Sequence, residues 1–294
     1  MKIDGVFSGG GIKGYALIGA ISAIEEKGYR FVRVAGSSAG ALIATFISAG
    51  YTAKEIKALM EEAELKHFLD PRKSWAPDGI AKWLFLYWRL GLYKGEALEQ
   101  WVEKKLLDKQ IRVFGDLPTH SLRIIASDLT NSRMMVIPDD LPSYGLDPST
   151  FSIAKAVRMS ASIPYFFEPT KLKKKDGVTV IVDGALLSNF PVWLFEQTRN
   201  EKKRPLLGVQ LSPDLSNRVP NKIRNGFDLF KALFETMMDA HDLKYISKNV
   251  EKNIIFIPVD SVKTREFDIA GEQKRELIEK GYQHAKQFLQ KWSY

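Results

Sequence analysis

Two rhythms of apolar residues alternate along the chain. Short, β-branched or continuous apolar runs occupy residues 3–8, 31–36, 122–127, 178–182, 206–211 and 253–258. Longer stretches with apolar positions three and four apart occupy residues 14–27, 39–49, 52–64, 153–159, 227–248 and 272–292. The first kind predicts buried strands and the second amphipathic helices. Thr52 stands where an N-cap belongs at the head of one helical pattern. Strand and helix in alternation predict an α/β fold, a mostly parallel central sheet with helices on both faces. No internal repeat, low-complexity tract or Gly/Ser linker breaks the 294 residues, so a single domain over 1–294 is expected.

Two segments interrupt the alternation. Residues 80–93 are mostly apolar and aromatic, with Lys82 and Arg89 seven apart on one helical face. They read either as a core helix with a narrow wet stripe or as an interfacial lid or acyl-chain wall. Residues 133–148, rich in Pro and Asp, read as an irregular surface loop.

Composition narrows the chemistry. There is no Cys, which excludes disulfides, zinc thiolates and a cysteine nucleophile. The start, Met1-Lys2-Ile3-Asp4-Gly5, runs straight into a strand pattern without the layout of a signal peptide. No apolar run is long enough to span a bilayer. A cytoplasmic location is therefore expected. The net charge of +8 favours phosphate-bearing partners. No zinc-finger spacing, RRM signature or long basic arm accompanies it, so nucleic acid is not an expected partner. Peripheral contact with an anionic membrane is. The densest basic clusters, Lys171-Leu172-Lys173-Lys174-Lys175 and Lys202-Lys203-Arg204, read as solvated loops.

The candidate chemistry sits at the ends of strands. Gly36-Ser37-Ser38-Ala39-Gly40 follows the 31–36 strand and opens the 39–49 helix. This is the strand–turn–helix setting of a G-x-S-x-G nucleophile elbow, with Ser38 as nucleophile. Gly9-Gly10-Gly11-Ile12-Lys13-Gly14 joins the first strand to the first helix. Its glycines expose backbone N–H groups to an anion. Gly9, Gly11 and Gly14 also match G-x-G-x-x-G, so a dinucleotide site competes with an oxyanion hole. The next strand delivers Ser38 where the dinucleotide fingerprint wants a carboxylate, which favours the oxyanion hole.

A serine nucleophile needs a base. None of the four histidines occupies an obvious strand-end setting. His241 and His284 lie in helical patterns, and His67 and His120 near loops, where they stay open as bases of a histidine-dependent hydrolase. Asp183 is better placed. It ends the 178–182 strand and precedes Gly184-Ala185, which lets the chain turn away from a carboxylate facing the ligand crevice.

In this order the three blocks, Gly9 to Gly14, Gly36 to Gly40 and Asp183-Gly184-Ala185, resemble the bacterial patatin-like phospholipases. Residues 154–164 and Asn189-Phe190-Pro191 extend the likeness over residues 5–195. The resemblance implies a three-layer α/β/α domain and a Ser38–Asp183 dyad without histidine. It also implies an oxyanion hole from the amides of Gly9, Gly10 and Gly11, a lipid carboxylic ester as substrate, and neither metal nor cofactor. Ser160-Ala161-Ser162-Ile163-Pro164 takes a wall or support role. Lys13 departs from the family's usual Arg, and replaces it fully only if the side chain supplies charge rather than a bidentate contact. Headgroup, acyl length and oligomeric state are left open.

Overall fold

The computed structural model describes residues 1–63, 65–71, 85–174, 177–195, 204–212, 223–226, 228–229, 232–234, 236–237, 251–259 and 271–293. Its strands are β1 (Lys2–Phe7), β2 (Arg30–Ser37), β3 (Gly91–Tyr93), β4 (Leu122–Asp128), β5 (Arg133–Ile137), β6 (Tyr165–Phe167), β7 (Thr170–Lys174), β8 (Gly177–Asp183), β9 (Leu206–Ser212) and β10 (Ile254–Pro258). Its helices are α1 (Tyr15–Glu26), α2 (Ala39–Ser48), α3 (Ala53–Glu62), α4 (Glu96–Leu107), α5 (Ile153–Ser160) and α6 (Gly271–Lys291).

One eight-stranded sheet carries the fold, in the order β10-β9-β1-β2-β4-β8-β7, with β5 on the free edge of β4. From β10 to β4 every pairing is parallel, and β5, β7 and β8 join antiparallel. The expected α/β class holds, with an antiparallel flank beside its parallel half. Central β1 is buried from Ile3 to Phe7, as an interior parallel strand must be.

Period-two alternation sorts the side chains between the two faces. Phe7, Val209 and Ile257 join the main core with α1, α2, α5 and α6. Val6 and Ile254 pack instead on Phe190 and Val192. The C-terminal helix α6 meets α1 backbone to backbone. A Cβ at Gly19 would lie 1.8 Å from the Ile278 oxygen, and one at Gly281 would lie 1.9 Å from the Ala16 oxygen. Thr52 caps α3 as the pattern predicts. Its hydroxyl accepts the Glu55 N–H at 3.3 Å while Glu55 accepts the Thr52 N–H at 2.7 Å, a reciprocal capping box.

Two loop readings are corrected. Residues 133–137 form strand β5, paired with β4 from Asp128↔Arg133 to Ile124↔Ile137. Pro138, Asp139 and Asp140 follow at once, and their turn signal masked a short strand with only Met135 and Ile137 buried. Lys171 to Lys174 is the edge strand β7, with Leu172 buried and Lys171 and Lys173 exposed. Lysines on an edge strand hinder further pairing, so the same residues that suggest a loop suit this position. Lys175, Lys202 and Lys203 lie outside the described residues, as does most of the 227–248 helix.

The register of β4 explains where chemistry can gather. β2 runs parallel along one edge of β4 and ends with Ser37 opposite Ile125. β8 comes from the opposite direction along that same edge and ends with Asp183 opposite Ala126. The two strands thus meet end to end on adjacent rungs, and the next residue of β2's chain, Ser38, faces the last residue of β8.

Candidate active site

Ser38 stands between β2 and α2 with φ 51° and ψ −122°, a conformation a serine adopts only when its surroundings impose it. Glycine makes the turn possible on both sides. A Cβ at Gly36 would lie 2.3 Å from the Gly40 oxygen, and a Cβ at Gly40 would lie 2.3 Å from the Phe7 oxygen. The carbonyl of Ser38 then accepts the N–H groups of Ala41 and Leu42 at 3.0 and 3.2 Å, starting α2. Its own N–H donates to Ser160 Oγ at 2.9 Å. Ser37 is fully buried beside it.

The Ser38 hydroxyl donates to Asp183 Oδ2 at 2.7 Å. Asp183 Oδ1 accepts the Ala185 N–H at 2.8 Å, and the Asp183 N–H donates to the Ser162 carbonyl at 2.9 Å. Asp183 is 1 % exposed, and among the described residues no cation pairs with its carboxyl. Burial raises its pKa to about 7, against the lowering effect of the Ala185 and Ser38 hydrogen bonds. Gly184 is required for the turn, because a Cβ there would lie 2.1 Å from the Ile125 oxygen.

The glycine loop lies against this pair. A Cβ at Gly9 would come within 3.2 Å of Ser38 Cβ, and one at Gly14 within 2.9 Å of Ala39 Cβ. Gly11 has φ 53° and opens the 3₁₀ turn Gly11–Gly14, in which Ile12 packs on the main core and Lys13 donates its N–H to the Gly10 carbonyl at 3.1 Å. The loop departs from expectation at one amide. The Gly9 N–H donates to the Asn189 carbonyl at 3.0 Å, which removes it from the proposed set of three. The N–H groups of Gly10 and Gly11 have no acceptor among the described residues. The sequence offers no signal for this, because Asn189 reaches the loop only through the fold.

A cavity of about 100 Å³ opens beside Ser38. Gly11, Ala39 and Ser38 line it together with Leu42, Met60, Phe68, Leu98, Ile163 and Phe167. Among the described residues no charged side chain lines it. Such a lining suits a hydrocarbon chain.

Residues 80–84 lie outside the described residues, and 85–93 do not match the core reading. Tyr87, Trp88 and Leu90 are 63 %, 71 % and 41 % exposed. Parallel pairing of β3 with β6 sets Gly91 beside Tyr165, which is exposed as well. Apolar residues thus surface next to the strand that carries Phe167 into the cavity wall.

The described histidines stand away from the pair. His67 is exposed in the turn Leu65–Phe68. His120 contacts Arg123 at 3.2 Å and Asp139 at 4.0 Å. His284 lies on α6, its pKa lowered by burial and then by the Lys280 charge. His241 lies outside the described residues.

Comparison with known proteins places this geometry in a family. Over its full length the chain is 56 % identical to the uncharacterized protein YqhO of Bacillus subtilis, covering all of that protein too. It is 24 % identical over 284 residues to the probable lipid hydrolase 463L of Invertebrate iridescent virus 6, covering 94 % of this chain and 88 % of that one. Among solved structures, VipD from Legionella pneumophila superposes with a TM-score of 0.57 at 18 % identity, covering 98 % of this chain and 66 % of that one. That likeness is one of fold. The family model described as patatin-like phospholipase matches residues 5–195, the stretch that holds the glycine loop, the elbow and Asp183, and the chain belongs to that family.

Proposed function

We propose that the protein is a serine acyl hydrolase that cleaves lipid carboxylic esters, with Ser38 as nucleophile and Asp183 as base. The observation that carries the reading is the 2.7 Å hydrogen bond from the Ser38 hydroxyl to a buried carboxylate whose pKa is raised to about 7. An ordinary aspartate is a poor base, and one tuned close to neutrality accepts a proton far better.

Ser38 Oγ attacks the acyl carbonyl as its proton passes to Asp183 Oδ2. The carbonyl oxygen becomes an oxyanion, and the free amides of Gly10 and Gly11 are the donors we assign to it. Collapse of the tetrahedral adduct breaks the ester C–O bond, and the leaving alkoxide takes the proton from Asp183. Water then attacks the acyl-enzyme, giving its proton to the same carboxylate, and the fatty acid departs as Ser38 is reprotonated. The uncharged cavity beside Ser38 would hold the acyl chain. The name of the virus relative, a probable lipid hydrolase, agrees with this substrate class. A histidine base lacks comparable support, since no described histidine hydrogen-bonds to Ser38 or Asp183.

The test is hydrolysis of p-nitrophenyl acyl esters by the purified protein beside Ser38→Ala and Asp183→Asn. Loss of nearly all turnover in both is expected, and turnover near wild type in either overturns the dyad.

A second reading concerns place of action. The exposed Tyr87, Trp88, Leu90 and Tyr165, next to a cavity-wall strand on a protein of net charge +8, favour peripheral docking on an anionic bilayer from the cytoplasm. Among the described residues no helix is long and apolar enough to cross a membrane. Co-sedimentation with phosphatidylglycerol vesicles should weaken with salt and in Trp88→Ala. Equal binding by wild type and Trp88→Ala would contradict this reading.

A further inference from the structure

The turn that ends α5 touches both halves of the reactive pair. Ser160 is fully buried, and its hydroxyl accepts the main-chain N–H of Ser38. That amide belongs to a residue in an imposed conformation and has no ladder partner, so the side chain of Ser160 holds the elbow where strand and helix do not. Two residues on, the Ser162 carbonyl accepts the main-chain N–H of Asp183. Ser162 is itself tied at its hydroxyl, which donates to the Arg158 carbonyl at 2.7 Å and accepts from Arg158 Nη1.

Arg158 anchors the turn. It is 4 % exposed, and no carboxylate lies within ion-pair distance of it among the described residues. Its Nη2 donates to two main-chain carbonyls, that of Glu168 at 2.6 Å and that of Lys94. Gly95, at φ 74°, makes room, since a Cβ there would lie 2.2 Å from Arg158 Nε. Burying a cation this deeply is costly, and a fixed network of donors is what it provides in return.

We infer that the turn from Arg158 to Ser162 is the positioning element of the reaction: Ser160 fixes the nucleophile, and Ser162, clamped by Arg158, fixes the base. This rests on the dyad reading above. The two functional strands meet end to end with no backbone ladder between them, so a third element is needed to set their side chains in line. One rigid turn sets both, and a shift of a few tenths of an ångström there moves Oγ and Oδ2 apart.

The experiment measures labelling of Ser38 by a fluorophosphonate, located by peptide mass spectrometry, together with kcat and KM on a p-nitrophenyl ester. Ser160→Ala and Ser162→Ala are small, volume-sparing changes. Each is expected to slow labelling and lower kcat about 10-fold with KM unchanged, the effect of losing one buried hydrogen bond in the aligned state. Ser152→Ala is the control. Its hydroxyl caps the other end of the same helix, accepting the Lys155 N–H at 3.2 Å, and its loss should lower the melting temperature while leaving kcat and labelling at wild type. Wild-type labelling rates in both Ser160→Ala and Ser162→Ala overturn the inference. So does a Ser152→Ala protein slowed as much as they are, since that would be plain helix destabilisation. A wild-type protein that hydrolyses the ester with Ser38 unlabelled overturns the dyad instead, and the two failures are thereby told apart.

Discussion

Two aspartates end neighbouring strands of the same sheet, and the fold treats them in opposite ways. Asp128 closes β4 and Asp183 closes β8, and the antiparallel ladder sets them on one face, two rungs apart. Both are essentially buried. Burial pushes each carboxyl up. At Asp128 that push is outweighed by hydrogen bonds from Tyr144 at 2.6 Å and from the Asn131 side chain and N–H at 2.7 and 2.9 Å, with Arg133 at 3.7 Å adding charge, and its pKa falls below the usual carboxylate range. Asp183 receives two donors and no cation, and rises to about 7. Burial alone does not make a base; what makes one is burial with too few donors to hold the charge. The same strand end thus holds a locked ion at one position and, in the proposed mechanism, the proton acceptor at the other.

The sharpest way to break the comparison is to remove each carboxylate's charge. Asp183→Asn should lower kcat by about 10⁴-fold or more, as losing a member of a concerted catalytic unit does. Asp128→Asn should leave kcat of the folded protein unchanged, as a steady-state assay on matched folded fractions would show.

Stability should separate the pair by sign. An ordinary aspartate in the unfolded chain titrates near 3.9. Folded Asp183 holds its proton to about pH 7, so it stabilises the fold fully at acid pH and progressively less as pH rises from about 4 to 7. Asp183→Asn lifts that penalty. It should be more stable than wild type at pH 8 by up to ~4 kcal/mol, and the gain should vanish near pH 4. Asp128 behaves inversely, since its depressed pKa adds stability above the unfolded value and loses it as pH falls. Asp128→Asn should cost ~2 kcal/mol at pH 7 and little in acid. Urea unfolding of the three proteins from pH 4 to 8 checks both signs.

Smaller effects sharpen the picture of the elbow. Gly36→Ala forces a Cβ to 2.3 Å from the Gly40 oxygen and should cost about 1–3 kcal/mol while slowing acylation. Thr52→Ala, which opens the capping box of α3 far from the pair, should cost ~1 kcal/mol and leave acylation at the wild-type rate. Thermal melts beside burst kinetics distinguish the two.

Much of this was legible in the residues. The continuous apolar runs marked six of the sheet's strands, because strands buried in the sheet carry their own signal, although β8 joins antiparallel. Gly36, Gly40 and Gly184 marked turns that only glycine permits, and Ser38 and Asp183 were legible as the residues those turns present. What escaped was set by partners distant in the chain. The amide of Gly9 is consumed by Asn189, 180 residues away, so among the described residues the loop keeps two amides without an acceptor where its glycines suggest three. β5 was hidden because Pro138 and two aspartates follow it, and β7 because Lys171 and Lys173 face solvent at an edge. Ser160 and Ser162 were legible as a wall, while their hold on Ser38 and Asp183 exists only once β2 and β8 have met. The helical reading of 80–93 as core failed at Tyr87 and Trp88, since an apolar pattern does not say whether anything covers it.

The most direct measurement is the rate at which Ser38 is acylated by a p-nitrophenyl ester, followed as a burst from pH 5 to 9 with the adduct located by mass spectrometry. The account predicts an acyl group on Ser38, and a rate that climbs about tenfold per pH unit in acid and levels off above a midpoint near 7, where Asp183 is ionised. An adduct on another residue, or a rate already level at pH 5, would contradict it.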